Sequence, residues 1–318
     1  MNKAGLRNLA GYMIAALIIW YAARGVSWGQ LLDVERSANV WMFAGFSTVG
    51  FLCWFIGETF LYSRLFSYVH SRTRPLELLP TMYSVYFLQI VNSYVASGAL
   101  LLFLHVRRRI PWLMSGFTLL FQGYLDAVLF AALVLMAIAL VPTSPIRIGL
   151  GVAAVVLGVG CFIASFWLLW GAWLPSRTWL GWLYKRPSME SFRNATFAQY
   201  LELMTIRFLI ILGAGLTLYG QFVSFHIGIS LAQTLAMTPF VVAIGNSPFS
   251  PGGIGTTQLA FTMAFARFGS KESLFALSLA VSAFGLLVRI PLGLVIGDSL
   301  MREVVEIRSG SSAEYRLG

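Results

Sequence analysis

The chain has 318 residues, of which 58% are hydrophobic and only 11% charged, with a mean hydropathy of +0.79 and a net charge of +10. A soluble domain carries about a quarter charged residues, and the apolar runs here are continuous for roughly 20 residues or more, enough to cross a bilayer core of about 30 Å. That excludes a soluble domain, and it excludes a transmembrane barrel, whose strands alternate apolar and polar positions.

In chain order, apolar segments fall at 9–23, 39–62, 78–104, 112–141, 147–174, 200–224, 229–247, 252–269 and 272–300. Lys3 and Arg7 precede the first segment, and no convincing cleavage site follows it, so it reads as an uncleaved first helix. Cys53 and Cys161 lie inside apolar segments, with no disulfide framework or zinc spacing. Neither a metal site nor a cofactor is expected. The longest polar stretch, 175–196, mixes Arg177, Lys185, Arg186 and Arg193 with Trp179, Trp182, Leu183 and Phe192. That mixture suits an amphipathic cytoplasmic segment lying on the membrane surface. No stretch could form a separate soluble domain, so 1–318 reads as one integral membrane domain.

The basic residues cluster in short loops, which points to positive-inside orientation and anionic headgroups rather than to nucleic acid. They also test the topology. If 78–104 crossed the membrane completely, Arg107, Arg108 and Arg109 and the 175–196 loop would lie outside. If it dips in and returns, fifteen of the 22 Lys and Arg residues lie inside. By the same logic 229–269 returns to the outer side. The expected fold is therefore an all-α polytopic membrane protein with about six full spans and two re-entrant broken-helix pairs. Both termini are cytoplasmic in this scheme. The breaks are similar, "NSYVASGA" from Asn92 and "NSPFSPGG" from Asn246. With opposite entry sides, this suggests an inverted repeat with halves 1–145 and 146–318.

Broken backbone at membrane depth survives only where it is buried in protein or lines a wet cavity. In "NSPFSPGGIGTTQ", Ser250 can cap a helix, Pro251 suits its first turn, and Gly252, Gly253 and Gly255 allow close approach. A half-helix N-terminus in the membrane favours an anion such as a lipid phosphate. The competing reading is a packing break between close helices. Asp126, Arg207 and Arg289 lie within apolar segments, where ionisable groups are costly and mark pathways. They are read either as a headgroup site or as a structural ion pair of Asp126 with one of the arginines. Glu58, Glu202 and Asp298 lie nearer segment ends and are read as reaching the interface.

These residues resemble the transmembrane region of lysylphosphatidylglycerol synthases, the flippase-like domain of multiple peptide resistance factors and their stand-alone bacterial relatives. The likeness rests on "NSPFSPGGIGTTQ" followed by "LLVRIPLGLVIG", and more loosely on "GYLDAVLF" and the region from Asn92 to Arg109. Pro248, Ser250, Pro251, Gly252, Gly253, Gly255 and Arg289 fit the family pattern, with Asp126 matching an earlier acidic position. Two family acids are absent: Gln258 stands where Glu is common, and Ala99 follows Gly98 in the first break. The resemblance implies lipid translocation across the bacterial cytoplasmic membrane. Loss of both acids leaves mainly positive features, so an anionic phospholipid or polyprenyl-phosphate-type lipid is expected. The substrate-binding set comprises Asn92, Ser93, Gly98, Asp126, Arg207, Asn246, Ser250, Gly252, Gly253, Gly255, Gln258 and Arg289. No nucleophile–base pair or metal cluster is evident, so an enzyme such as a lipid transferase is the weaker expectation. The soluble aminoacyl-transfer unit of the full synthases has no counterpart in these residues, so lysyl-lipid synthesis is not expected. A non-transporting accessory subunit beside a membrane enzyme is a further alternative. Glycine-rich spans also leave room for a homo-oligomer.

Overall fold

The computed structural model describes residues 27–70, 72–90, 93–140, 156–161, 163, 179–193, 195–245 and 255–290. All secondary structure among the described residues is helical. Four of these helices are long and apolar enough to cross a membrane: Val40–Val69, Trp112–Leu135 within the Trp112–Leu140 helix, Phe197–Ser224, and Lys271–Ile290. The chain is a helical membrane protein. The first expected segment, 9–23, and most of 147–174 lie outside the described residues.

The organising element is an antiparallel pair, Val40–Val69 packed along Phe197–Ser224. Its register reads from cross-helix contacts. Phe43 meets Phe225 edge-on, with ring centroids 5.7 Å apart. The Gln221 amide donates to the Ser47 hydroxyl at 2.9 Å. Farther along, Arg207 meets Glu58, and Arg64 meets Glu202 at 2.6 Å. Small residues permit this close approach. A Cβ on Gly220 would lie 2.2 Å from the Phe46 ring, and one on Gly50 would lie 2.2 Å from the Thr217 hydroxyl. Both helices are capped at their starts. Asn39 accepts from the Met42 N–H at 3.0 Å, and Thr196 forms a capping box with Gln199.

Each long helix leads into two short ones. Pro75–Leu88 and Ser93–Leu102 follow the first, and the latter continues through a π turn at Phe103–Arg107. Leu231–Gly245 and Thr256–Ala264 follow the second. At 1.5 Å per residue none of these reaches about 30 Å. The members of each pair pack on one another, and each pair is followed by a long helix. The same order of elements, long, short, short, long, thus occurs twice.

The ends of each pair meet. Glu77, in the first turn of Pro75–Leu88, forms an ion pair with Arg108, just beyond the π turn. Ile227, before the second pair, packs beside Gly269, after it. The first mouth lies near Val69, where the Ser63 hydroxyl donates to the Thr73 carbonyl at 2.6 Å. The second lies at the other end of the antiparallel pair, where the Asn39 N–H donates to the Ser224 carbonyl at 2.9 Å. The two short pairs therefore open toward opposite ends of the central helices.

Two apolar cores follow this division. One gathers Phe55, Leu61, Phe66, Leu78, Met82, Leu100, Phe121 and Leu203 around the first short pair. The other gathers Phe43, Phe222, Phe225, Met237, Phe261, Phe265 and Phe275 around the second. The described part of 175–196 consists of three short helical pieces, Trp179–Tyr184, Pro187–Met189 and Glu190–Arg193, rather than one continuous helix. They fold against Trp112–Leu140, with Tyr184 and Met189 buried beside Phe117, Tyr124 and Phe192.

Candidate functional site: a buried charge cluster between two cavities

At mid-length, the central helices carry opposite charges. Arg207 is 6% exposed, and its terminal nitrogens donate to the Glu58 Oε1 at 2.9 Å and to the Asp126 Oδ2 at 3.0 Å. Its Nε lies 2.8 Å from the Asp126 Oδ1 without hydrogen-bond direction. The Tyr86 hydroxyl donates to the Glu58 Oε2 at 3.0 Å, and the Gln122 amide donates to the Asp126 Oδ1 at 2.9 Å. The guanidinium also lies 5.4 Å from the centre of the Trp54 ring. Four helices and the Pro75–Leu88 short helix converge here, counting Arg289 from the last. Taking a charge out of water costs several kcal/mol even after relaxation, and a buried pair recovers this only with good geometry and satisfied lone pairs. Each carboxylate here accepts one bond from Arg207 and one from a neutral donor, which meets that condition.

Arg289 is placed differently. Among the described residues it makes no hydrogen bond or ion pair, and its Nε is buried without a partner. Its side chain lines a cavity of about 270 Å³ with Glu58, Tyr62, Tyr86, Gln89 and Ser97. The cavity abuts the first short pair. A second cavity, of about 200 Å³, abuts the second pair and is lined by Gln221, Thr238, Gly245, Thr257 and Phe261. Trp54 forms part of both walls.

The sequence-derived residues distribute as follows. Asp126 and Arg207 come together at Glu58, and Arg289 lines the cavity that Glu58 also lines. Asp126 pairs with Arg207, which resolves the choice of arginine, while Arg289 stays apart. Glu58 does not reach the interface, because its helix continues to Val69, well beyond position 62. Gly98 lies beside Ser97 in Ser93–Leu102, with open space where a Cβ would stand, and Ser93 begins that helix. Gly255 has φ 94°, a conformation that favours glycine, and its N–H donates to the Gln258 side chain at 2.5 Å. The Gln258 amide donates in turn to the Ser282 hydroxyl at 2.9 Å. Gln258 thus closes the start of a helix and ties it to the last span. Asn92, Asn246, Ser250, Gly252 and Gly253 lie outside the described residues.

Sequence reading missed Glu58, Tyr86, Gln122 and Trp54. For Glu58 the signal was present: an acid inside a helix-length apolar stretch, misplaced by ending that stretch at 62. For the others nothing distinguishes them from the many aromatic and amide residues of the chain.

Paired short helices and a buried charge cluster beside a polar cavity define a polytopic helical membrane protein with an internal polar site. More particularly, the chain belongs to the family of the lysylphosphatidylglycerol synthase TM region, whose model matches residues 8–293. That membership ties it to membrane-lipid function. No match is found among curated proteins.

Proposed function

We propose that the protein translocates an anionic phospholipid or polyprenyl-phosphate-type lipid across the bacterial cytoplasmic membrane. The headgroup passes through the polar interior while the acyl or prenyl chains stay in the bilayer. One observation carries this reading: Arg289 presents to a polar cavity inside the membrane domain a guanidinium that has no hydrogen-bond or ion-pair partner among the described residues. An unpaired buried charge is expensive, and a phosphate offers the bidentate partner that a guanidinium fits best. A volume of about 270 Å³ is below that of a typical pocket for a drug-sized ligand, so it suits a headgroup and not a whole lipid. Arg207 is already shared by two carboxylates and serves as a strut rather than as the anion contact.

Paired mouths at opposite ends of the central helices support two re-entrant pairs in an inverted repeat, the arrangement by which transporters place a site near the midplane. With that topology both termini are cytoplasmic. The role is translocation rather than catalysis, because Glu58 and Asp126 are each engaged with Arg207 and are poor candidates for general bases. The partner is a membrane lipid, and self-association or a membrane enzyme partner is compatible with this role.

The test is mass spectrometry of lipids that co-purify with wild type and with Arg289→Gln, after both are shown to extract as monodisperse protein. Enrichment of one anionic lipid, lost in the variant, is expected. Equal lipid profiles would refute the headgroup site. An accessory role is the second reading, favoured by Gln258, which occupies a family acid position as a helix cap. Recovery of a stoichiometric membrane enzyme with an unenriched lipid profile would select it.

A further inference from the structure

The two mouths differ in charge. At the first, Arg72, Arg74, Arg107, Arg108 and Arg109 stand against Glu77, five positive charges to one negative. At the second, Arg36, Arg267 and Lys271 stand with Asp33 and Glu272, so the charges of the described residues nearly cancel. At the first mouth Glu77 is taken by Arg108, and nearby Glu202 is taken by Arg64. Arg72, Arg74 and Arg109 are exposed and make no hydrogen bond or ion pair among the described residues. The backbone contributes to this exposure. Arg109 has φ 54°, in the left-handed region that favours glycine, and the Ile110 N–H donates back to the Leu104 carbonyl at 3.1 Å. That reversal buries Ile110 and leaves Arg107 and Arg109 exposed on either side of the paired Arg108. Beside them, Trp112 and Leu113 are 52% and 65% exposed at the start of the next span, and the Trp112 ring stacks on His105 at 4.2 Å.

We propose that the rim of the first mouth is a docking surface for anionic lipid headgroups, with Arg72, Arg74 and Arg109 holding phosphates and Trp112 and Leu113 resting against the chains below them. The depth is right for this. Val40–Val69 is about 45 Å long at 1.5 Å per residue, against a hydrocarbon core of about 30 Å, so its Val69 end stands at headgroup level. At that level aromatic rings and arginines are at home, and the phosphate of a lipid is the anion a guanidinium grips in two bonds. Orienting the chain requires only an excess of basic residues. It does not require that two separate segments bring unpaired arginines to one mouth, as the Glu77–Arg108 pair does here, nor that an arginine occupy a backbone position suited to glycine. The short helices that start at this rim also line the cavity of Arg289 through Tyr86, Gln89 and Ser97. The rim therefore gathers anionic lipid at the entrance of the pair that leads to the cavity. The proposal stands on the rim alone and does not depend on the reading of Arg289.

The experiment places a photo-crosslinking amino acid at Leu113 of the full chain, in nanodiscs of phosphatidylcholine with a minor share of phosphatidylglycerol at low salt. Mass spectrometry of the crosslinked lipid gives the ratio of the two. Phosphatidylglycerol is expected to be enriched over the bulk ratio by about fivefold or more, the effect of about one basic residue near the surface. In the triple variant Arg72→Gln, Arg74→Gln, Arg109→Gly the ratio should return to bulk. These side chains are exposed and unpaired among the described residues, and glycine suits the backbone at 109, so the fold is kept. Arg289→Gln should leave the enrichment intact. A crosslinker at Met263, exposed near the second mouth, should report the bulk ratio. A bulk ratio at 113 in wild type overturns the proposal, as does enrichment that survives the triple variant or is matched at Met263. Enrichment lost in Arg289→Gln also overturns it, because the lipid at 113 would then belong to the cavity and not to the rim.

Discussion

Arg207 and Arg289 both lie within apolar helices, yet their removal should have opposite consequences. Arg207→Gln leaves Glu58 and Asp126 without their shared cation, inside a protein interior that cannot hydrate them. Breaking a buried ion network by removing one partner costs about 3–5 kcal/mol. For a chain of this size that corresponds to a fall of about 5–7 °C in unfolding temperature. Arg289→Gln removes a charge that has no protein partner among the described residues, so it leaves no ion exposed to the loss. Its stability should equal or exceed that of wild type, while anionic lipid retention disappears. The assay is thermal loss of the monodisperse peak in detergent for the two variants, alongside the lipid content of each. If Arg289→Gln falls by as much as Arg207→Gln, Arg289 has a structural partner and the division of labour between strut and site is wrong. Asp126→Asn offers an internal control, since it keeps the shape, leaves Arg207 paired with Glu58, and should cost less than Arg207→Gln.

Other features give independent outcomes. Gly220→Ala drives a methyl into the Phe46 ring and should destabilise by about 1–3 kcal/mol, seen as the same thermal shift assay falling by several degrees. Gln258→Ala strands the Gly255 N–H and the Ser282 hydroxyl partner, and should cost about 2 kcal/mol without altering Arg289-dependent lipid retention. His70, just past the first central helix, bonds through Nε2 to the Thr118 hydroxyl at 2.8 Å, and burial lowers its pKa below the usual histidine value. The unfolded chain therefore binds the proton first. Stability is full above about pH 6.5 and declines as pH falls toward the lowered native value. A His70→Gln variant should lose that decline, measured as unfolding temperature against pH.

The architecture was legible in the sequence where physics leaves few choices. Length and hydropathy mark the spans, while the return of 78–104 and 229–269 to their starting side is an expectation drawn from the arginine pattern. In the structure the ends of each short pair lie together, Glu77 with Arg108 and Ile227 beside Gly269. Pairing of charges was less legible. Asp126 lies 81 residues from Arg207 and Glu58 lies 149 from it, and nothing local in the sequence encodes such distances. Glu58 was discounted because the hydropathy of its segment weakens at Ser63 and Arg64. Those residues remain helical because Ser63 and Ser67 bond to the Thr73 carbonyl, while Arg64 bonds to Glu202 and Tyr68. Tertiary partners thus extend a helix that composition alone would end.

The position of the charge cluster follows from the antiparallel pairing itself. In an antiparallel pair the middle of one helix lies beside the middle of the other, and Glu58 meets Arg207 there. That level lies between the mouths of the two short pairs. Trp54, one turn before Glu58, stands in the walls of both cavities and against Arg207. The strut therefore fixes the partition between the two compartments as well as the acids. Its loss should open a path between the cavities in addition to unfolding the core. Trp54→Ala, with Arg207 intact, separates the two effects: increased leak of small ions through proteoliposomes at near-normal thermal stability is expected. Unchanged leak in Trp54→Ala would mean that the surrounding helices, and not the ring, divide the compartments.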